Sequence, residues 1–222
     1  AVSPDGRKWE FLKTSSVSSQ DEFHLFHDTS RNLYVATVKL TGPYGRSVYL
    51  AVSKDFEHWT DSTECLIFHA DKRDQDLGAE RVQMHLRNPA LRQPTFNRPE
   101  EYQTDIYNLP VFAYQGLYVG MPTVFNHSGN TKDNSDGFSM VELVMSRDLL
   151  NWERVGNREK FIPVSPVEGE KNYDTAQLLA ANGPIITDTE IWFYYTGARW
   201  REPPNMDLAT RDSTAICLAK LR

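Results

Sequence analysis

The chain has only two cysteines among its 222 residues, Cys65 and Cys217. They lie far apart and without metal-type spacing, so neither a disulfide framework nor a zinc signature can be built from them. They read as buried thiols or as one disulfide, which leaves the redox compartment open. No apolar run approaches the roughly 18 residues of a membrane span, and Ala1 to Glu10 lacks a basic-then-apolar signal pattern. Blocks of like charge are missing as well: the net charge is −6 with acids and bases interleaved, so no nucleic-acid face is expected. There is no phosphate-cradling glycine loop and no nucleophile elbow. No cofactor and no metal site are expected, and oligomeric state is left open.

What the chain does contain is a repeat. SPDGRKW (Ser3 to Trp9), SKDFEHW (Ser53 to Trp59) and SRDLLNW (Ser146 to Trp152) place a serine, an acid and a tryptophan at the same offsets. The three copies are separated by about one and two units of a period in the high forties, a length typical of propeller blades or solenoids. Before the second copy, EFHLF, LYVATVKL and SVYLAVS alternate apolar and polar residues between the turn-forming stretches TSRN and TGPYG. This predicts three antiparallel strands, followed by a fourth from Trp59 to about Phe68. Before the third copy, DIYNLPVFAY, LYVGMPTVF and FSMVELVMS repeat the pattern, with a fourth strand from Trp152 to about Ile162.

The reading is therefore a single all-β domain over 1–222, a β-propeller of four-stranded antiparallel blades. Its parts are the end of a preceding blade (1–14), two blades (21–68 and 105–162), a partial blade (174–222) and a long connection (69–104). Propellers typically have at least four blades, so the chain reads as an incomplete propeller, a segment of a longer protein.

SKDFEHW, SRDLLNW, the acid-initiated inner strands and EIWFYYTG resemble the five-bladed β-propeller glycoside hydrolases of families 32 and 43. The resemblance implies a carbohydrate substrate, a glycosidic bond to be cleaved and a secreted or periplasmic setting. The sialidase Asp-box is a rival, although its spacing is one residue longer. Two departures from the families stand out. Their general acid is a glutamate where this chain has aspartates, and the WMNDPNG-type and RDP-type signatures are absent.

Chain direction separates two ends of each blade. The SxDxxxW motif falls on the third-to-fourth connection, at the bottom, where its acid can accept backbone N–H bonds in a tight turn and its tryptophan can fill the gap between sheets. Asp21, Asp105 and Asp174 start the inner strands at the opposite end, where the long connections 69–104, 126–137 and 198–212 also fall. Glycoside cleavage needs one acid to protonate the leaving oxygen and a second carboxylate to activate water or attack carbon. These three are the candidate catalytic residues, and the bland reading of each is a loop cap in the channel. Glu22 adjoins Asp21, but alternation along a strand would turn it to the other face.

Tyr107, Asn108, Arg199 and Trp200, with Arg201, are the candidate sugar contacts, the alternative for Tyr107 and Trp200 being packing between blades. His24 and His27 in HLFHD point to opposite faces of a strand, DKRDQD (Asp71 to Asp76) reads as a solvated loop, and NTKDNSDG reads as a connection. Asn126 and Ser128 form an N-glycosylation sequon. Three functions remain open: a glycosidase using inner-strand carboxylates, a catalytically silent propeller binding a glycan or a protein, or a sialidase-like propeller.

Overall fold

The computed structural model describes residues 1–12, 17–203 and 212–222. Part of the 198–212 connection and residues 13 and 14 of the first segment lie outside the described residues. Four strands, β1 (Phe23–Asp28), β2 (Leu33–Gly42), β3 (Gly45–Ser53) and β4 (Leu66–Phe68), form one antiparallel sheet in chain order. The apolar runs of β2 and β3 are nearly continuous because both faces are covered. Val35, Val48 and Leu50 pack toward the next unit, whereas Ala36, Val38, Tyr49 and Ala51 pack the other way, with Leu25, Trp59 and Leu66.

The second unit departs from the sequence reading in that its first three strands are each broken in two. β5 (Gln103–Asn108) and β6 (Val111–Tyr114) take the place of one strand, β7 (Leu117–Gly120) and β8 (Thr123–Asn130) of the second, and β9 (Ser135–Val141) and β10 (Val144–Ser146) of the third. The upper halves pair as β5-β8-β9. The lower halves pair as β6-β7-β10, with β11 (Trp152–Arg154) on the outside. Two breaks fall at Pro110 and Pro122, which have no N–H to give the ladder. Their carbonyls still accept, from Met121 N at 2.9 Å and Glu142 N at 3.1 Å, so the two halves remain one bent blade.

In the third unit, β12 (Gln177–Ala180) and β13 (Ile185–Ile186) lie on one side of β14 (Ile191–Ala198), and β15 (Thr214–Leu221) lies on the other. Its Leu178, Ala180, Phe193 and Tyr195 pack on Met121, Val141 and Ile162 of the bent blade. Three antiparallel units thus stack face to face, as propeller blades do.

Several local expectations are corrected. The fourth strands are short, only β4 and β11, with Ile162 joined to Val141 by a single bridge. The 126–137 connection is a hairpin, since β8 and β9 leave only 131–134 as the turn. DKRDQD is no solvated loop: it opens a 15-residue helix, α1 (Lys72–Leu86), in which Asp71 and Asp74 form a reciprocal capping box. The sequon is unavailable in the folded chain because Asn126 is fully buried. Cys65 and Cys217 are free thiols. No helix among the described residues is long and apolar enough to cross a membrane.

Candidate active site

The two ends of the blades hold their carboxylates differently. At the bottom, the SxDxxxW copies form nearly identical turns. In the second, Asp55 Oδ1 accepts from Glu57 N at 2.9 Å and His58 N at 2.8 Å, while Ser53 Oγ accepts from Phe56 N at 2.9 Å. Asp148 and Ser146 repeat this with Leu150, Asn151 and Leu149, as do Asp5 and Ser3 in the first copy. The residue after the acid is left-handed in all three, with φ of 71° at Gly6, 68° at Phe56 and 69° at Leu149. Glycine is thus tolerated but not required there. The backbone amides hold Asp55 and Asp148 below the usual carboxylate range.

At the top, carboxylates from one unit meet side chains of another. Asp21 lies just before β1, half open to solvent. It pairs with Lys39 of β2 and accepts from Tyr107 Oη of β5 at 2.9 Å. Burial disfavours its charge, but the Lys39 and Tyr107 hydrogen bonds outweigh that and hold it below the usual range. Lys39 is itself 3% exposed and sits 3.7 Å from the centroid of the Tyr107 ring. Burial, helped by Asp21, pushes the Tyr107 hydroxyl up to about 12.

Asp105 is 2% exposed. Its Oδ2 receives Arg46 Nη1 at 2.9 Å and lies 3.1 Å from His127 Nε2. Its Oδ1 is buried with no hydrogen-bond partner. Arg46 and Arg201 both reach the side-chain oxygen of Asn134, at 3.4 and 2.7 Å, and the Arg201 guanidinium lies 5.4 Å from the Phe125 ring centroid and 5.9 Å from that of Tyr107.

Glu22 requires a correction. Alternation would turn it away from Asp21, yet its Oε2 accepts from Asn108 Nδ2 at 3.2 Å, beside the Tyr107 contact of Asp21. Both acids lie just before β1, where Gln20 and Glu22 both bond to Lys39, and the β5–β8 register shifts between Ile106 and Asn108. A bulge of this kind re-aims neighbouring side chains. Asp21 and Glu22 therefore meet Tyr107 and Asn108 on β5, the strand that also carries Asp105 two residues before Tyr107.

Asp174 is held apart from this group. Its Oδ2 accepts from Ser165 Oγ at 2.9 Å and from Tyr195 Oη at 2.8 Å, within its own unit and the segment approaching it. Arg199 is engaged by the carbonyls of Glu170, Asn172 and Asp212 and lies over Tyr173, and Trp200 lies under the Arg92 guanidinium at 4.2 Å. The polar atoms of Tyr107 and Asn108 face the two acids, and both residues are buried. His24 and His27 go to separate partners, Asn182 and Asn32. Among the described residues no cluster of three or more metal-ligating side chains occurs.

Lys39, Arg46, His127 and Asn134 were not singled out by sequence. Only Lys39 leaves a trace, as a lone cation inside the apolar run LYVATVKL.

No protein-family model matches the chain, and no curated protein matches it. Solved structures do. Zg3597, a family 117 glycoside hydrolase of the marine bacterium Zobellia galactanivorans, aligns with 96% of this chain and 56% of its own, at TM-score 0.53 and 13% identity. BT0996, in its complex with RGII, aligns with 90% and 45%, at 0.49 and 16%. An α-L-arabinanase mutant of Cellvibrio cellulosa aligns with 82% and 46%, at 0.40 and 14%. The likeness is one of fold: the chain resembles propeller-type glycoside hydrolases. It spans about half the length of the structures it matches.

Proposed function

We propose that this chain forms the catalytic part of a propeller enzyme that hydrolyses a glycosidic bond, with the chemistry at the cluster of Asp21, Glu22 and Asp105. The observation that carries the reading is the meeting of Asp21 and Glu22 of one blade with Tyr107 and Asn108 on the strand of the next blade that carries Asp105. Asp21, ionised and open to solvent, is the base or nucleophile. Glu22 is the proton donor, restoring the glutamate that the family resemblance calls for.

Asp105, fixed by Arg46, orients the sugar and tunes its neighbours. Tyr107 and Asn108 act by holding the two acids. Asp174, with both its donors inside the scaffold, supports the third inner strand, and Arg199 and Trp200 shape the loop beside it.

A panel of aryl glycosides and oligosaccharides, offered to wild type, Asp21→Asn, Glu22→Gln and Asp105→Asn, tests the assignment. Loss of turnover in the first two variants is expected, with a smaller loss in the third. Turnover unchanged by Asp21→Asn would remove that residue from the mechanism. Sugar binding without turnover in wild type would favour a catalytically silent glycan-binding propeller.

A further inference from the structure

The β2–β3 hairpin tip, Pro43–Tyr44–Gly45, lies against Asp105 and has no part in the roles assigned above. Tyr44 is 50% exposed, yet it is not loose: its ring stacks on the His69 ring with centroids 3.9 Å apart and planes at 11°. The tip is seated on β5. Gly45 has φ of 81°, and a Cβ there would meet Gln103 Nε2 at 3.1 Å and Asp105 Cβ at 3.6 Å. The same tip carries Arg46 to Asp105. Tyr44, His69, Gly45, Lys72, Gln75 and Gln103 line a cleft of about 430 Å³. Gln75 is locked to the Thr104 backbone by bonds of 2.7 and 2.8 Å, which makes that wall rigid. Gln103 stands on the same strand two residues before Asp105, and hence on the same side.

We infer that the Tyr44–His69 stack is a carbohydrate subsite: a platform on which a second sugar ring of an oligosaccharide rests while the neighbouring ring occupies the carboxylate cluster. An aromatic face covers the apolar C–H face of a sugar ring, and pre-stacking on His69 means that little side-chain entropy is lost on binding. Gln103 and Lys72 offer amide and ammonium groups to the hydroxyls. The inference rests on the carbohydrate reading for its ligand class, not on cleavage.

Saturation-transfer-difference NMR tests it on the chain as it stands. The probes are neutral and uronic-acid oligosaccharides of two to six sugars, each paired with its monosaccharide. Wild type is expected to saturate the ring protons of at least one oligosaccharide more strongly than those of its monosaccharide. Tyr44→Phe should keep that preference, and Tyr44→Ala should weaken the oligosaccharide's affinity about threefold to tenfold, the range of a single aromatic contact.

If no probe binds wild type at millimolar concentration, or if Tyr44→Ala binds as wild type does, the platform is overturned. Should binding depend on Tyr44 while no substrate is turned over, the platform stands and the hydrolytic reading falls. Loss of binding in Tyr44→Phe as well would also overturn it, because the hydroxyl rather than the ring would then be responsible.

Discussion

Asp148 and Asp21 are both aspartates held below the usual carboxylate range, at opposite ends of the blades, and for opposite reasons. Asp148 takes its donors from Leu150 and Asn151, two and three residues further along the chain. Asp21 takes its donors from β2 and from a neighbouring unit. The bottom acid stabilises a turn that any blade can repeat, whereas the top acid depends on the assembly of two blades. Repetition therefore marks scaffold here, and contact between blades marks the proposed site.

The largest effect that would test this contrast is on stability. Arg46→Met removes the guanidinium that Asp105 Oδ2 receives and leaves a buried carboxylate without its ion-pair partner, which costs about 3 kcal/mol. A urea midpoint unchanged from wild type would mean that the top cluster is not buried as described. Tyr107→Phe comes next: one charge-assisted bond to Asp21 is lost, so turnover should drop about tenfold. In the same variant the Asp21 pKa should move up toward 3.8, read by carboxyl NMR titration.

Smaller effects are expected at the bottom. Asp148 has a depressed folded pKa, so its contribution is present above the unfolded value of 3.8 and is lost as pH falls through the folded value. Asp148→Asn should therefore flatten the acid limb of a plot of melting temperature against pH, with turnover intact. A limb as steep as that of wild type would contradict the turn geometry. Smallest is His58→Ala. The Asp55 hydrogen bond raises the His58 pKa above 6.5, so its contribution is present below that value and fades as pH rises through the folded one. The variant should differ from wild type only in acid, by a slight fall in melting temperature.

The strands and the SxDxxxW turns were legible in the sequence because both depend on local rules, alternation and self-contained hydrogen bonding. α1 was not, because its buried side carries Asp74, Gly78, Arg81, Val82 and His85. The spacing is helical but the residues are mostly polar, so apolar periodicity missed it. They can be buried because Arg81 and Arg154 meet Glu142, and Arg154 and Arg158 meet Asp74, pairings between residues far apart in sequence.

The candidate site was half legible for the same reason. Asp21 and Asp105 stood out as strand-initiating acids. Glu22 was not legible because its partner, Asn108, is far away in sequence and sits beside a register shift in β5 that no local pattern announces. The bend at Pro110 and Pro122 was written in the sequence, but it was read through as unbroken strand.

The most direct test of the central claim compares Asp21→Asn with Asp148→Asn on one substrate, under conditions where both fold. The account predicts that kcat falls by about 10²-fold or more in the first and stays near wild type in the second. Equal losses, or a loss confined to Asp148→Asn, would contradict it.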